Sequence, residues 1–357
     1  MNQPKVYISI LNWNGLKDTL ECLVSVFKLD YPNFEVIVVD NGSTDDSVEV
    51  IEKTYPQVTL IRNKENLGFT GGNNIAMHYA MDHLADYIWL LNNDTTVEPD
   101  TLTKLVTEAE QSSDIGLVSP VIYYYDEPEK VQFCDSYVDW VNQIIVYPEY
   151  KNRHISDIHD NFKCGENTCL WGTALLIKRN VVEKIGYLDE GYFAYWEDTD
   201  YSIRALKMGY RNVICASAKV LHKTALPDAG SLRRSAQFFY YTTRNRYILA
   251  IKFFKSRGML SFWGNYLSFV LTNFIYCKQF NDRVASDACL DGAWAAIRRT
   301  AGPWDKTVKM PVWLRKGFLF LSSWHPHLWI NLLQGKFSNI SSEVLKRSKS
   351  KISANNS

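Results

Sequence analysis

Tyr87-Ile88-Trp89-Leu90-Leu91-Asn92-Asn93-Asp94 is a short apolar run that stops abruptly in two amides and a carboxylate. Such a run suits a strand buried on both faces, as in a parallel sheet covered by helices. In open α/β sheets, ligands sit in the crevice outside the carboxyl ends of the strands. An acid at that end faces a ligand and not the core. A carboxylate there is a hard oxygen ligand for Mg2+ or Mn2+, ions that bind through one or two carboxylates plus substrate phosphates. Asp94 is therefore a candidate for the group that brings a metal and a nucleotide diphosphate to the sheet. The competing reading makes Asn93-Asp94-Thr95-Thr96 a turn that caps a helix.

The flanking segments repeat the rhythm. Val6 to Leu11 predicts a first strand that ends at Asn12-Trp13-Asn14-Gly15. From Leu16 to Phe27 the helical period places Leu16, Leu20, Leu23, Val24 and Phe27 along one face. Phe34 to Asp40 reads as a second buried strand closed by an acid, residues 41–47 as a turn and helix N-cap, and Val58 to Ile61 as a third strand. Beyond Asp94 come a helix from Pro99 to Glu110 and a strand from Ile115 to Ile122 that runs into three tyrosines. Residues 126–163 are polar and irregular, with candidate strands at 131–133 and 144–147. Cys169 to Arg179 restores the sheet, and two short runs, Val213–Ala216 and Lys219–His222, close it at a histidine. Strand and helix alternating in this way predict an α/β fold, a mostly parallel, doubly wound sheet.

The chain has 357 residues and zero formal net charge, but the charge is split. Residues 244–357 hold 18 basic against 5 acidic groups, a balance of +13, and residues 1–243 carry the opposite −13. An acidic front and a basic, aromatic rear point to an anionic partner for the rear. The seven cysteines are odd in number and lack a CxxC pair, which argues against a disulfide framework or zinc site and for a reducing compartment. No signal peptide is expected, because the apolar stretch after Lys5 is broken by Asn12, Asn14 and Gly15.

Four further features carry chemistry. Asp40 ends its strand as Asp94 does and can accept hydrogen bonds from a ribose or base, or can serve as a turn aspartate. Asn66-Leu67-Gly68-Phe69-Thr70-Gly71-Gly72-Asn73-Asn74 precedes a helix expected from Ile75. Its glycines allow close backbone approach and offer N–H groups to an anion, although it is neither a Walker loop nor a dinucleotide fingerprint. Glu197, Asp198 and Asp200 open an amphipathic helix whose inner face includes Tyr201, Ala205 and Met208. Acids in a first turn are favoured by the helix dipole, but three within four residues repel one another, so a crowded carboxylate here is a plausible general base. Finally, Arg244 or Arg246 can hold a diphosphate through paired N–H bonds, or anchor a helix to an acidic surface.

Taken together, Val38-Val39-Asp40-Asn41-Gly42-Ser43-Thr44-Asp45, the Asn66 to Asn74 loop, the Asn92-Asn93-Asp94 strand end and the Tyr240-Tyr241-Thr242-Thr243-Arg244-Asn245-Arg246 stretch resemble family 2 glycosyltransferases of the GT-A type. Within that family the closest flavour is the rhamnosyltransferase-like group of bacterial surface polysaccharide synthesis. The resemblance implies a catalytic domain over 1–243, with a nucleotide-binding half to about 122 and an acceptor-binding half from 123, and a helical region over 244–337. It implies that Asn12, Asp40, Asn66, Gly68, Gly72, Asn73, Asn93, Asp94, Trp171, Gly172 and Arg244 serve the donor. Asp94 and His222 are the implied ligands of Mn2+ or Mg2+, Asp198 the implied base, and Glu197 the group that orients the acceptor or the loop. One departure stands out: the familiar metal motif carries two aspartates around one residue, and here the first is Asn92.

The implied reaction is inverting transfer of rhamnose or a similar hexose from a dTDP- or UDP-sugar to a glycan or lipid-linked glycan. Three alternatives are weighed against it. A processive polysaccharide synthase would show a Gln-x-x-Arg-Trp stretch and several clear membrane spans, and neither is read here. A sugar-nucleotide nucleotidyltransferase would open with a Gly-rich basic loop where Asn12-Trp13-Asn14-Gly15 stands. A non-catalytic glycan-binding protein would not need carboxylates at 94, 197 and 198 in this order. The uncharged stretch Gly258 to Cys277 has the length of a membrane span but carries Ser261, Asn265, Ser268, Thr272 and Asn273, so it reads as an interfacial helix. With Trp263, Tyr266, Phe269 and Phe274, and a second patch from Phe318 to Trp329, it predicts peripheral adhesion to an anionic membrane at its cytoplasmic face, with no nucleic acid involved. The alternative packs this helical tail on the catalytic domain or on a twin subunit. Residues 224–234 read as a loop able to close over the donor, and residues 338–357 as a disordered tail.

Overall fold

The computed structural model describes residues 3–134, 136–139, 144–146, 152–157, 168–223, 234–254 and 259–324. The expected closing loop at 224–233, most of the polar insertion and the expected tail from 338 lie outside the described residues. The chain divides into two compact units, one of Met1–Val138, Tyr150–Pro227 and Ala301–Pro303, the other of Asp139–Glu149, Asp228–Thr300 and Trp304–Ser357.

The first unit is built on strands β1 (Val6–Asn12), β2 (Phe34–Asp40), β3 (Thr59–Arg62), β4 (Tyr87–Asn92), β5 (Thr95–Val97), β6 (Ile115–Tyr124) and β7 (Val131–Phe133), followed by a short strand β8 (Ser136–Asp139). A strand β9 (Ile144–Val146) lies in the second unit's share of the chain. The first unit then adds β10 (Thr168–Cys169), β11 (Ala174–Lys178) and β12 (Arg211–His222). The main sheet runs β3-β2-β1-β4-β11-β6-β12-β5, with β7 on β6. Pairing is parallel from β3 through β4 and between β6 and β12; β11 runs antiparallel to both its neighbours. The apolar runs are buried on both faces, as continuous hydrophobic strands require.

Helices α1 (Leu16–Val26), α2 (Ser47–Thr54), α3 (Gly68–Asp82), α4 (Thr101–Glu110), α5 (Arg179–Ile185) and α6 (Glu197–Lys207) cover the sheet. Register aligns the strand ends: Asn12 pairs with Asp40, and Leu11 with Asn92. The polar residues that close β1, β2 and β4 therefore share one edge.

Several sequence expectations need correction. The glycine-rich segment is no loop before a helix at Ile75; α3 already begins at Gly68. A side chain at Gly72 would run into Leu11 of β1, so that glycine lets a helix lie close on the sheet. On α1 the buried side is Thr19, Cys22, Leu23 and Val26, and Val24 is exposed. Met208 lies beyond the end of α6 and is 49% exposed, so it is no part of that helix's inner face. Asn93-Asp94 turns into strand β5, not into a helix. The two runs expected between 213 and 222 form one strand, β12, interrupted by a register shift between Cys215 and Lys219.

The second unit contains α7 (Ala236–Phe253), α8 (Met259–Gln279), α9 (Arg283–Ile297) and α10 (Val312–Trp324). The boundary read at 243 falls inside α7. Ser235 and Asp282 cap α7 and α9 by accepting the N–H groups of Phe238 and Ala285. Gly292 lets α9 press on the backbone of Tyr240. Buried Asp291 accepts from Lys309 and from the Met310 N–H, and pairs with Arg315. The α8 stretch read as interfacial buries Tyr266, Val270, Phe274 and Cys277 in this unit's core, which leaves Trp263, Leu267 and Tyr276 exposed. Among the described residues, no helix is long and apolar enough to cross a membrane.

Candidate active site

Sheet register builds the first part of the site. β5 pairs antiparallel with β12, and His222 stands opposite Thr95, the residue after Asp94. His222 Nε2 thereby comes within 3.1 Å of Asp94 Oδ1, and the Lys223 N–H donates to the Asp94 carbonyl at 3.0 Å. Burial pushes the Asp94 carboxyl up, but the hydrogen bond and charge of His222 outweigh it and hold the group below its ordinary range. Lys223 also bonds Asp18 and Glu21 of α1 at 2.6 and 2.7 Å, which ties down the end of β12.

The pair meets a test for a divalent ion. Ligands about 2.1 Å from a metal at adjacent octahedral positions stand about 3 Å apart, close to the observed 3.1 Å. Among the described residues, no group of three or more His, Cys, Asp or Glu gathers as a metal-holding cluster. An ion here would complete its shell with phosphate or water oxygens, as Mg2+ usually does. Asn92, which stands where the familiar motif has its first acid, is the last residue of β4.

A second group of residues stands beside this pair. Asp198 Oδ2 accepts the Gly172 N–H at 3.0 Å, and Asp198 Oδ1 the Thr199 N–H at 2.6 Å. The next residue after Gly172, Thr173, accepts the Asn92 N–H at 2.9 Å. Two hydrogen bonds and one peptide step thus link Asp198 to the turn that carries Asp94. A second route runs the other way round: His222 Nδ1 lies 2.7 Å from Gln132 Oε1, Phe133 stacks on Trp171 at 4.2 Å, and Gly172 follows Trp171. A side chain at Gly172 would crowd Phe69 and approach Asp198. Hydrogen bonds and a ring contact therefore link Asp94 and His222 to Trp171, Gly172 and Asp198.

The three acids at the start of α6 separate into three roles. Asp200 is fully buried; it accepts from Tyr192 at 3.2 Å and from Arg204 at 2.7 Å, while Arg204 also holds the carbonyls of Ile185 and Tyr187. That cluster braces a strained approach in which Phe193, Tyr195 and Trp196 all have positive φ. Glu197 is buried with no partner for Oε2; burial and then the neighbouring Asp198 charge raise its carboxyl well above the ordinary value. Asp198 is half-buried, and burial raises it against the opposing N–H bonds. Both carboxyls are raised, so the pair resists carrying two charges at once.

The amides read as donor contacts are engaged within the protein. Asn12 donates to Asp40 at 2.8 Å and to Ser43, and accepts from Thr19, to which Asn93 also donates at 3.0 Å. Asp40 Oδ2 takes the Ser43 N–H. Asn66 receives Asn41 and the Gly68 N–H, and Asn73 bridges Ser9 and the Phe69 carbonyl. Gly68, at φ +74°, packs under Phe193. These contacts tie together the ends of β1 and β2 and the start of α3. Arg244 lies in the second unit, fully buried, over the rings of Tyr240 and Tyr241 and donating to Asn245.

Two residues escaped sequence reading. Asn41 binds Asn63, the Leu67 N–H, Asn66 and the Gly68 carbonyl, joining the ends of β2, β3 and α3. Its place beside Asp40 was the only available sign. Gln132 had none beyond standing between two apolar residues of a candidate strand.

Known proteins match this architecture. A family model described as Glycosyl transferase family 2 matches residues 7–186. The chain is 24% identical over 231 residues to the low-salt glycan biosynthesis hexosyltransferase Agl10 of Haloferax volcanii, covering 62% of this chain and 68% of that protein. It is 27% identical over 204 residues to the N-acetylglucosaminyl-diphospho-decaprenol L-rhamnosyltransferase of Mycobacterium tuberculosis, covering 53% and 66%. To the dTDP-rhamnosyl transferase RfbF of Shigella flexneri it is 24% identical, covering 69% and 80%. Among solved structures, the mannosyltransferase PcManGT of Pyrobaculum calidifontis superposes with a TM-score of 0.51 at 17% identity, over 96% of this chain and 87% of that one. Residues 1–349 of S. aureus TarS give 0.51 at 18%, over 82% and 81%. These likenesses are of fold, a GT-A-type sheet with helical additions. On its matched residues and its strand-end chemistry, the chain belongs to glycosyl transferase family 2.

Proposed function

We propose that the protein moves a sugar, rhamnose or a similar hexose, from a dTDP- or UDP-sugar to a hydroxyl of a glycan or lipid-linked glycan in cell-surface polysaccharide synthesis, with inversion. The observation that carries this reading is the chain of hydrogen bonds that links the turn of Asp94, itself paired with His222, to Asp198 through Thr173 and Gly172. The rhamnosyltransferase relatives support the choice of sugar. The Pyrobaculum mannosyltransferase, solved with GDP-Man and Mn2+, supports a nucleotide sugar and a divalent ion.

Asp94 and His222 would hold the ion, which supplies positive charge against the departing diphosphate. Asp198 accepts the proton of the incoming hydroxyl, whose oxygen bonds to the anomeric carbon on the face opposite the diphosphate. The bond from that carbon to the phosphate oxygen breaks as the new one forms. The Gly172 and Thr199 N–H groups fix the carboxylate plane, and burial keeps Asp198 basic enough to take the proton. Glu197, neutral beside it, orients the acceptor or its own loop. The basic, aromatic second unit would hold the enzyme at the anionic inner face of a membrane.

A panel of nucleotide sugars, with product detection and with or without Mn2+, tests the reading. Transfer from a dTDP- or UDP-hexose is expected. Asp198→Asn should lower kcat by about 100- to 10,000-fold while nucleotide affinity holds. Ordinary turnover by that variant would place the base elsewhere, and no transfer from any donor would remove the proposal.

A further inference from the structure

We infer that Gln132 is a positioning residue for His222: it holds the ring so that Nδ1 carries the proton and Nε2 faces the point shared with Asp94. This rests on the reading of Asp94 and His222 as metal ligands. Gln132 Oε1 lies 2.7 Å from His222 Nδ1, and an amide oxygen only accepts, so the hydrogen between them sits on Nδ1. The other nitrogen is the one 3.1 Å from Asp94; it donates to that carboxylate in the ion-free protein and would give up that hydrogen to hold an ion. A histidine ligand is commonly fixed in this way, by an acceptor behind the ring that sets tautomer and angle.

The surroundings of Gln132 make plain solvation an insufficient account of it. β7 has three residues; Val131 and Phe133 belong to the hydrophobic core, and Gln132, 4% exposed, lies between them. A buried amide is costly unless bonded. The cost is met by a bond to one specific ring. β6 separates the two strands: it pairs with β7 on one side and with β12 on the other, where Tyr124 stands opposite His222. Gln132 therefore reaches the last residue of β12 from outside its own ladder. The next residue, Phe133, stacks on Trp171, immediately before the Gly172 that holds Asp198. One short strand thus backs the ion-holding and the proton-accepting groups together.

The test compares the full chain with Gln132→Met, which keeps length and loses the strong acceptor, with Gln132→Leu if the first does not fold, and with Gln132→Glu, which keeps an acceptor. Nitrogen NMR of 15N-histidine-labelled protein reports the tautomer without metal. Electron paramagnetic resonance of free Mn2+, with UDP and with dTDP, reports ion affinity. The apolar variant should lose the Nδ1–H signature of His222 and bind Mn2+ about 10- to 100-fold more weakly; Gln132→Glu should retain both. An apolar variant with unchanged tautomer overturns the inference, whether or not Mn2+ binding falls. His222→Ala separates the two levels: if it binds Mn2+ as the parent does, the metal reading fails and the positioning role toward an ion falls with it. If it binds Mn2+ weakly and Gln132→Met binds normally, only the role of Gln132 is lost.

Discussion

Glu197 and Asp198 are neighbours with different fates because they differ in solvation. Glu197 is sealed with one oxygen unpartnered, whereas each oxygen of Asp198 has an N–H facing it. A carboxyl that holds its proton more tightly folded than unfolded loses stability as pH rises above its unfolded value. Glu197 is such a group: its folded value is raised well above the ordinary 4.5. The loss begins near that ordinary value and grows until the folded group ionises. Glu197→Gln removes the group, so its melting temperature should gain on the parent's as pH rises from about 5. The acid limb of kcat/KM, set by Asp198, should stay in place, because Glu197 is already neutral there. Thermal scans with parallel pH dependence in both proteins would show that Glu197 ionises normally.

At the scale of elements, α3 and the approach to α6 depend on each other. Gly68 opens α3 at φ +74°, directly against the Phe193 backbone, and the Thr70 N–H donates to the Phe193 carbonyl at 3.2 Å. Phe193 is the first of three positive-φ residues, with Tyr195 and Trp196, just before Glu197 and Asp198. Gly68→Ala adds a strained φ and a clash together, so it should cost about 1–3 kcal/mol in denaturant unfolding. It should also lower kcat, because the chain that must yield leads to Asp198. A change below about 0.5 kcal/mol, the range of ordinary surface substitutions, would mean the two segments move independently. Periodicity could not reveal this dependence. Glycines at 68, 71 and 72 read as a loop, since glycine is a poor helix former; the helix carries them because side chains there would run into Phe193, Leu67 and Leu11 respectively.

For the whole molecule, the uneven charge makes a distinct prediction. The balance of +13 over residues 244–357 already counts the ion pairs of Arg315 with Asp287 and Asp291 and of Lys309 with Asp291, so the surplus is carried by other basic residues. That surplus should draw the protein to vesicles containing anionic phospholipid at low salt. It should release as the screening length shortens from about 30 Å at 0.01 M to about 10 Å at 0.1 M. Equal sedimentation with neutral phosphatidylcholine vesicles would assign the charge to folding or to other contacts.

The buried strands, their order along the chain, the acids at their ends and the family were legible in the sequence, because a strand covered on both faces must be continuously apolar and must break where it meets solvent. That signal is local, and so it survives in a bare string of residues. The contact between Asp94 and His222, which the family resemblance had already paired as ligands, the burial of Glu197 against Asp198, and Gln132 behind the histidine were decided only by tertiary structure. The first and last depend on register between strands far apart in the chain. A hydrogen bond that spans 90 residues leaves no periodic trace in either segment it joins.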